Sequence, residues 1–315
     1  MSWVKVFAPA SIANLGPGFD CLGVAIAGPG DTVAVRRNAG GPPGVVITEI
    51  TGDAAGIPLE AAANCAGRAA LAVLRQIPGR AGREAAIEMR LDKGLPRGSG
   101  IGSSAASAVA GAVAAHLLLE SPVGSNLLLE AALEGEMVAS GGRHADNLAA
   151  SLLGGFTIVR SHAPIEVTRL EAPPQARFVV VLPEMEIETR YARSILPATV
   201  GLQEAISNWS NVAAMVAAVA RGSVADMGKA VVDQVVEPAR RHLIPGFDEV
   251  KRSALEAGAF GCSISGAGPA MFAIALAETG EAVALAMHAA FARHGLSSRH
   301  FVCAPDNRGA RRVDP

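Results

Sequence analysis

Short runs rich in β-branched and other apolar residues fall at Trp3 to Ala8, Thr32 to Arg36, Val45 to Ile50 and Ala86 to Leu91, and they predict four strands early in the chain. Longer apolar stretches without internal proline predict helices over Leu59 to Gln76, Ser103 to Leu119 and Asn126 to Ala139. Strand character returns at Gly154 to Arg160, and a proline-bearing segment through Pro164, Pro173 and Pro174 follows. The second half repeats the mixture. Phe178 to Leu182 reads as a strand, and Gly201 to Ala220, Ser223 to Val236 and Asp248 to Ala257 read as helices. Gly261 to Ile264 and Met271 to Leu276 are strands, Glu278 to His294 a helix and Arg299 to Cys303 a last strand.

A chain of 315 residues exceeds the usual size of about 100–200 residues per domain, so two domains are expected. The proline segment sets the division at 1–163 and 164–315. Half of the residues are hydrophobic and the formal net charge is −2, which leaves no footprint for nucleic acid or an anionic membrane. One Tyr and two Trp are too few for a base-stacking platform. The first residues lack a secretory pattern and every longer apolar run is interrupted, so a soluble, cytoplasmic protein is expected. Cys21, Cys65, Cys262 and Cys303 form no C-x-x-C pair and have no companion histidine spacing, and they read as reduced structural thiols.

The candidate chemistry centres on Pro96, Arg97, Gly98, Ser99, Gly100, Ile101, Gly102, Ser103, Ser104, Ala105 and Ala106, a glycine-rich turn that runs into the helix predicted from Ser103. Glycines at alternate positions permit positive φ and leave no Cβ in the way of a ligand, and a helix N-terminus favours an anion. This segment is a candidate ATP-phosphate cradle, with Gly100 expected to face the phosphates. It fits neither the Walker pattern nor G-x-G-x-x-G. The competing reading is a plain turn before a tightly packed alanine helix.

Two further loops have the same character. Pro9 to Asp20 holds Asn14 and Asp20 among prolines and glycines, either as ligand contacts or as ordinary turn residues. Ser263 to Ala270 is a second glycine turn between two apolar strands, equally explained as a hairpin.

Taken in order, the blocks P-A-S-I-A-N-L-G-P-G-F-D with C-L-G, P-R-G-S-G-I-G-S-S-A-A-S, H-A-D-N, T-R-x-x-R-x-x-L-P, E-P-x-R before L-I-P-G-F, and S-G-A-G-P resemble the GHMP kinase superfamily. Within it they are most similar to the homoserine kinases. Ile12 departs from the small hydroxyl residue more usual there. The resemblance implies an α+β protein with an N-terminal α/β nucleotide-binding domain, a C-terminal ferredoxin-like domain and an active site between them. It implies ATP-dependent phosphorylation of the L-homoserine hydroxyl to O-phospho-L-homoserine, a step of threonine synthesis.

Carried over residue by residue, the resemblance puts Mg²⁺ near Ser104 and Glu136. Without it, Glu136 reads with Glu130 and Glu134 as a solvated helix face. An amino-acid substrate asks for arginine forks at its carboxylate, here Arg190 and Arg240, and for Asp20 at its ammonium. Asn14, His144 and Gly266 complete the substrate set. Asp146 is either the general base or an orienting group beside Asn147, with His144 near the reacting end. A homodimer is left open. The alternatives are a kinase of another small alcohol, such as mevalonate or shikimate, and a binding protein of the same fold without catalysis.

Overall fold

A computed structural model of the chain describes residues 2–120 and 124–313. The first half runs β1 (Val4–Ala13), β2 (Leu22–Arg37), β3 (Gly44–Gly52), α1 (Cys65–Gln76), α2 (Arg80–Arg83), β4 (Ala86–Lys93), α3 (Ser103–Leu119), α4 (Ser125–Ser140), α5 (Asp146–Leu153), β5 (Phe156–His162) and β6 (Ile165–Leu170). The second half runs β7 (Ala176–Pro183), α6 (Thr189–Ser194), α7 (Leu202–Arg221), α8 (Val224–Lys229), α9 (Val236–Arg240), α10 (Phe247–Glu256), β8 (Gly261–Ile264), β9 (Met271–Leu276), α11 (Ala277–Arg293), β10 (Ser298–Cys303) and β11 (Arg311–Arg312).

The strand predicted at Thr32 to Arg36 is the second half of a longer strand. β2 pairs with β1 over most of its length, with a register shift opposite Pro9 and Ala10. Its first half, Leu22 to Val24, pairs with β5, and its second half, Thr32 to Arg37, pairs with β4. One strand thus feeds two branches of the first sheet, β4–β3 and β5–β6. On β4 the apolar phase is plain: Ile87, Met89 and Leu91 are buried between more exposed Glu88, Arg90 and Asp92. α3 is buried along most of its length through alanines, valines and Gly111. A Cβ on Gly111 would lie 2.3 Å from the Ala66 carbonyl oxygen, so glycine is needed there for α1 to lie against α3.

The second sheet has the order β10-β7-β9-β8, all antiparallel. The succession β7, helices, β8, β9, α11, β10 in this order is the ferredoxin-like arrangement. Period-two alternation separates two cores. Val179, Val181, Met271 and Ala273 pack with α10 and α11, while Phe178, Val180, Phe272 and Ile274 join the core shared with the first sheet and with Met215 of α7.

Three sequence expectations change. The helix expected over Ser223 to Val236 is two short ones, because the Asp233 carboxylate accepts the backbone N–H groups of Val235, Val236 and Glu237 and starts α9. The helix expected from Leu59 begins at Cys65, where the Asn64 side chain caps it. The division at 163/164 falls inside the β5–β6 hairpin, and residues 171–175 are what link the two sheets. α5, α6, β6 and the first half of β2 carried no sequence expectation.

The C-terminal segment returns to the first sheet. β11 pairs with β1, and the Asp306 N–H and C=O bond the backbones of Ala25 and Gly155. Asp306 is 5% exposed, and its carboxylate accepts from the Arg308 and Gly309 N–H groups and from Arg311. Asp306→Ala leaves those donors unmatched and is expected to cost about 2–4 kcal/mol. A lower urea midpoint with an unchanged slope would show it; an unchanged midpoint would mean that the clasp is not a stabilising contact.

Candidate active site

A cleft of about 550 Å³ is lined from the first half by Ala13, Leu91, Lys93 and the loops around them, and from the second half by residues 186–190, Arg193, Arg240 and the turn 266–268. One wall is the glycine loop, where Gly98, Gly100 and Gly102 have φ of +61°, +82° and +72°. Gly102 precedes the first turn of α3, so Ser103 and Ser104 meet the cleft at a helix N-terminus. Arg97, Gly98, Ser99, Gly100, Gly102, Ser103 and Ser104 all line it. Ile101, Ala105 and Ala106 turn into the core instead, and the Pro96 carbonyl accepts the Ser99 hydroxyl at 2.7 Å. Their contribution is to shape the turn.

Gly100 differs from expectation. A Cβ there would lie 2.6 Å from the Ser265 carbonyl oxygen and 2.8 Å from that of Gly268. The missing side chain makes room for the second glycine turn, not for phosphate. Ser265 Oγ donates to the Gly100 carbonyl at 2.7 Å, and the Ala270 N–H donates to that of Ser99 at 3.2 Å.

Ser104 Oγ donates to Glu136 Oε1 at 2.9 Å across α3 and α4. Glu136 is buried on the cleft wall and not on a solvated face. Burial pushes its carboxyl up to about 7 against the opposing Ser104 hydrogen bond, and the charge of Asp146 adds to the rise. Among the described residues no three His, Cys, Asp or Glu side chains cluster to hold a metal by themselves. The oxygen donors of Ser104 and Glu136 suit a hard cation that takes its other ligands from phosphate and water.

At the other end of the cleft the Phe19 ring lies against two guanidinium groups, Arg193 at 4.9 Å and Arg240 at 5.2 Å. Arg193 grips both oxygens of Asp20, at 2.8 and 2.7 Å. Arg240 is 2% exposed and donates from Nε to the Ala192 carbonyl and from Nη1 to that of Gly266. Burial, with the charge of Arg193, lowers its pKa to about 10, so it stays cationic at neutral pH. Asn14, at φ +70°, donates to the Gly266 carbonyl at 2.9 Å and accepts the Asp20 N–H. Arg190 lines the cleft but is exposed and packs beside Gly141.

His144 lies 3.1 Å from Arg193 through Nδ1. Burial first, then the arginine charge, lowers its pKa, so the ring is neutral with Nδ1 accepting and Nε2 protonated. Asp146 opens α5 almost fully buried and accepts the Asn147 N–H at 2.9 Å. Burial, with a further push from the Asp20 charge, raises its carboxyl to about 7. The Asn147 side-chain oxygen accepts from Ser11 at 2.8 Å.

Sequence reasoning named Arg190 and passed over Arg193, although both stand in the same T-R-x-x-R block, three apart on α6. Phe19 and Ser11 were likewise inside quoted blocks without a role.

Two family models match the chain, that of the GHMP kinases N terminal domain over residues 64–155 and that of the GHMP kinases C terminal domain over 215–293. The class is therefore that of the GHMP kinases, with the glycine loop inside the first match. Homoserine kinase of Arabidopsis thaliana is 44% identical over 99% of this chain and 85% of its own, and that of Chlorobium phaeovibrioides 42% identical over 99% of both. The crystal structure of homoserine kinase from Cytophaga hutchinsonii superposes with a TM-score of 0.92 at 41% identity, covering 99% of this chain and 98% of that one. The chain belongs to the homoserine kinase family.

Gly100→Val drives a branched side chain into the Ser265–Gly268 backbone at a left-handed φ. It is expected to lower the melting temperature as well as ATP affinity. A melt identical to wild type would mean that the two turns do not depend on each other.

The raised Asp146 pKa fixes a sign for stability. The proton is held more tightly in the folded than in the unfolded protein, so the stabilising contribution is present below the ordinary carboxylate pKa and is lost as pH rises through about 7. Asp146→Asn should therefore melt increasingly above wild type from pH 5 to pH 8, and a constant difference across that range would contradict the burial argument.

Proposed function

We propose that this ATP-dependent kinase transfers the γ-phosphoryl group of ATP to the side-chain hydroxyl of L-homoserine. The observation that carries the reading is a cleft with a glycine cradle at one end and, at the other, the buried Arg240 and the half-buried Arg193 beside an aspartate, the charge pattern an α-amino acid requires. Arg193 and Arg240 take the carboxylate in this reading, in place of the expected Arg190 and Arg240. Supporting this, Arg193 keeps a buried Nε–H without an acceptor among the described residues. Asp20 receives the ammonium while still paired with Arg193, a carboxylate having lone pairs for both.

The loop amides from Gly98 to Ser104 hold the ATP phosphates. Ser104 and Glu136 hold Mg²⁺, which when bound neutralises charge on the phosphate oxygens. The Asn147 amide group, its oxygen engaged by Ser11, orients the homoserine hydroxyl. With a carboxyl near neutral pKa, Asp146 takes the hydroxyl proton late in the transfer, when little basicity is needed. His144 fixes the Arg193 fork through Nδ1. Two copies of the chain pair through the exposed Leu202, Ile206 and Trp209 along α7, apolar positions spaced for one helix face.

With Mg²⁺ and ATP the protein should phosphorylate L-homoserine far faster than mevalonate or galactose; comparable turnover of either would overturn the substrate assignment. Arg240→Leu removes charged hydrogen bonds of about 2–5 kcal/mol and should lower kcat/KM for homoserine by a few tens-fold to several thousand-fold, with ATP affinity little changed. Arg190→Leu should stay within about threefold of wild type. Glu136→Gln should depress kcat and raise the magnesium requirement while homoserine binding survives. If all three variants share one defect, the roles are misassigned.

A further inference from the structure

The apolar phase of β4 ends on Lys93, whose side chain is only 2% exposed. A lysine is rarely buried so fully unless paired. Here Nζ meets the Asp31 carboxylate of β2, itself 0% exposed. Neither residue enters the reaction as read above.

The hydrogen bonds around this pair have one consistent direction. Ser103 Oγ donates to the Leu95 carbonyl at 2.9 Å, and Ser107 Oγ donates to Asp31 Oδ2 at 2.6 Å. Each hydroxyl has a single proton, so both accept from Lys93 Nζ, at 2.8 and 2.9 Å. The remaining ammonium proton goes to Asp31 Oδ2, with the Ser103 carbonyl as a shared acceptor at 3.1 Å. Asp31 Oδ1 accepts the Leu95 N–H at 3.2 Å. The network therefore holds Leu95 by both its N–H and its C=O. It also holds Ser103 and Ser107 in the first two turns of α3.

Between those two anchors lies only the glycine loop. Its glycines have wide conformational freedom, which must be removed before their amides converge on phosphate. An ammonium supplies three donors from one atom, which is what joins a strand end, a loop start and a helix start at one point.

We infer that Lys93 and Asp31 form a positioning pair that sets the span of the nucleotide loop, acting on ATP through Leu95 and Ser103. The inference rests on the kinase reading and adds residues that the reading does not use. A pair that served only general stability would lower the melting temperature and leave the loop as it is.

The test compares Lys93→Met, Asp31→Asn, the double variant and Ser107→Ala. The double variant leaves no unpaired charge and should fold even if the single ones do not. Three quantities are read: the Kd of ATP without acceptor, the KM of each substrate, and amide hydrogen exchange across residues 95–106 without ligand. The double variant should bind ATP about tenfold or more weakly, with homoserine KM within about twofold and faster exchange in the loop. Ser107→Ala should show about a threefold loss in the same direction. Wild-type ATP affinity and loop exchange in a folded double variant would overturn the inference, as would equal rises in both KM values. Failure of the wild-type protein to bind ATP would defeat the kinase reading alone, because loop exchange needs no ligand and still decides whether the pair holds the loop.

Discussion

Two glycine turns meet backbone to backbone at Gly100 and Ser265–Gly268, and both ends of the cleft are built outward from that contact. On one side the Ser265 hydroxyl holds the Gly100 carbonyl of the nucleotide loop. On the other side the Gly266 carbonyl accepts from Arg240 and from Asn14. Adjacent residues of one turn therefore touch the glycine-loop wall and the wall that carries Asn14 and Arg240. A side chain at Gly100 would push the two turns apart, because its Cβ would lie 2.6 Å from the Ser265 carbonyl oxygen.

Buried charge is the second constraint. Lys93, Asp31, Glu136, Asp146 and Arg240 are each less than a tenth exposed, in a chain whose net charge is close to zero. Asp31 and Lys93 satisfy each other within the fold. Burial raises the carboxyls of all three acids, Asp31 against the pull of Lys93 and Glu136 and Asp146 to about 7, since desolvation outweighs the hydrogen bonds they accept.

Much of the architecture was legible in the residue pattern. The helix from Ser103, the strands at Ala86 to Leu91 and Phe178 to Leu182, and the closing β8, β9, α11 and β10 follow from local periodicity and turn residues, which act over a few positions. α5 and α6 went unread because they are short, and β6 because its segment looked like a proline-rich connection. The first half of β2 was hidden by the glycine and proline positions around it, where the chain exchanges one partner strand for another. The two-part division was visible, but not that the C-terminal Arg311–Arg312 strand closes the first sheet, since no local signal marks such a return.

The residue order alone determined the chemistry on offer: a glycine turn at a helix start, amide and carboxylate in a stiff loop, and arginines in two blocks. These are short-range properties of backbone freedom and side-chain type. Tertiary structure decided which of them face each other. It turned Arg193 and not Arg190 toward Asp20, because on α6 a three-residue step decides which arginine packs over Phe19. It directed Gly100 at the second lobe and not at phosphate. It also put Lys93 on the core phase of β4 opposite Asp31, a pairing across 62 positions that no local pattern encodes and that only the packing of two strands against one helix brings about.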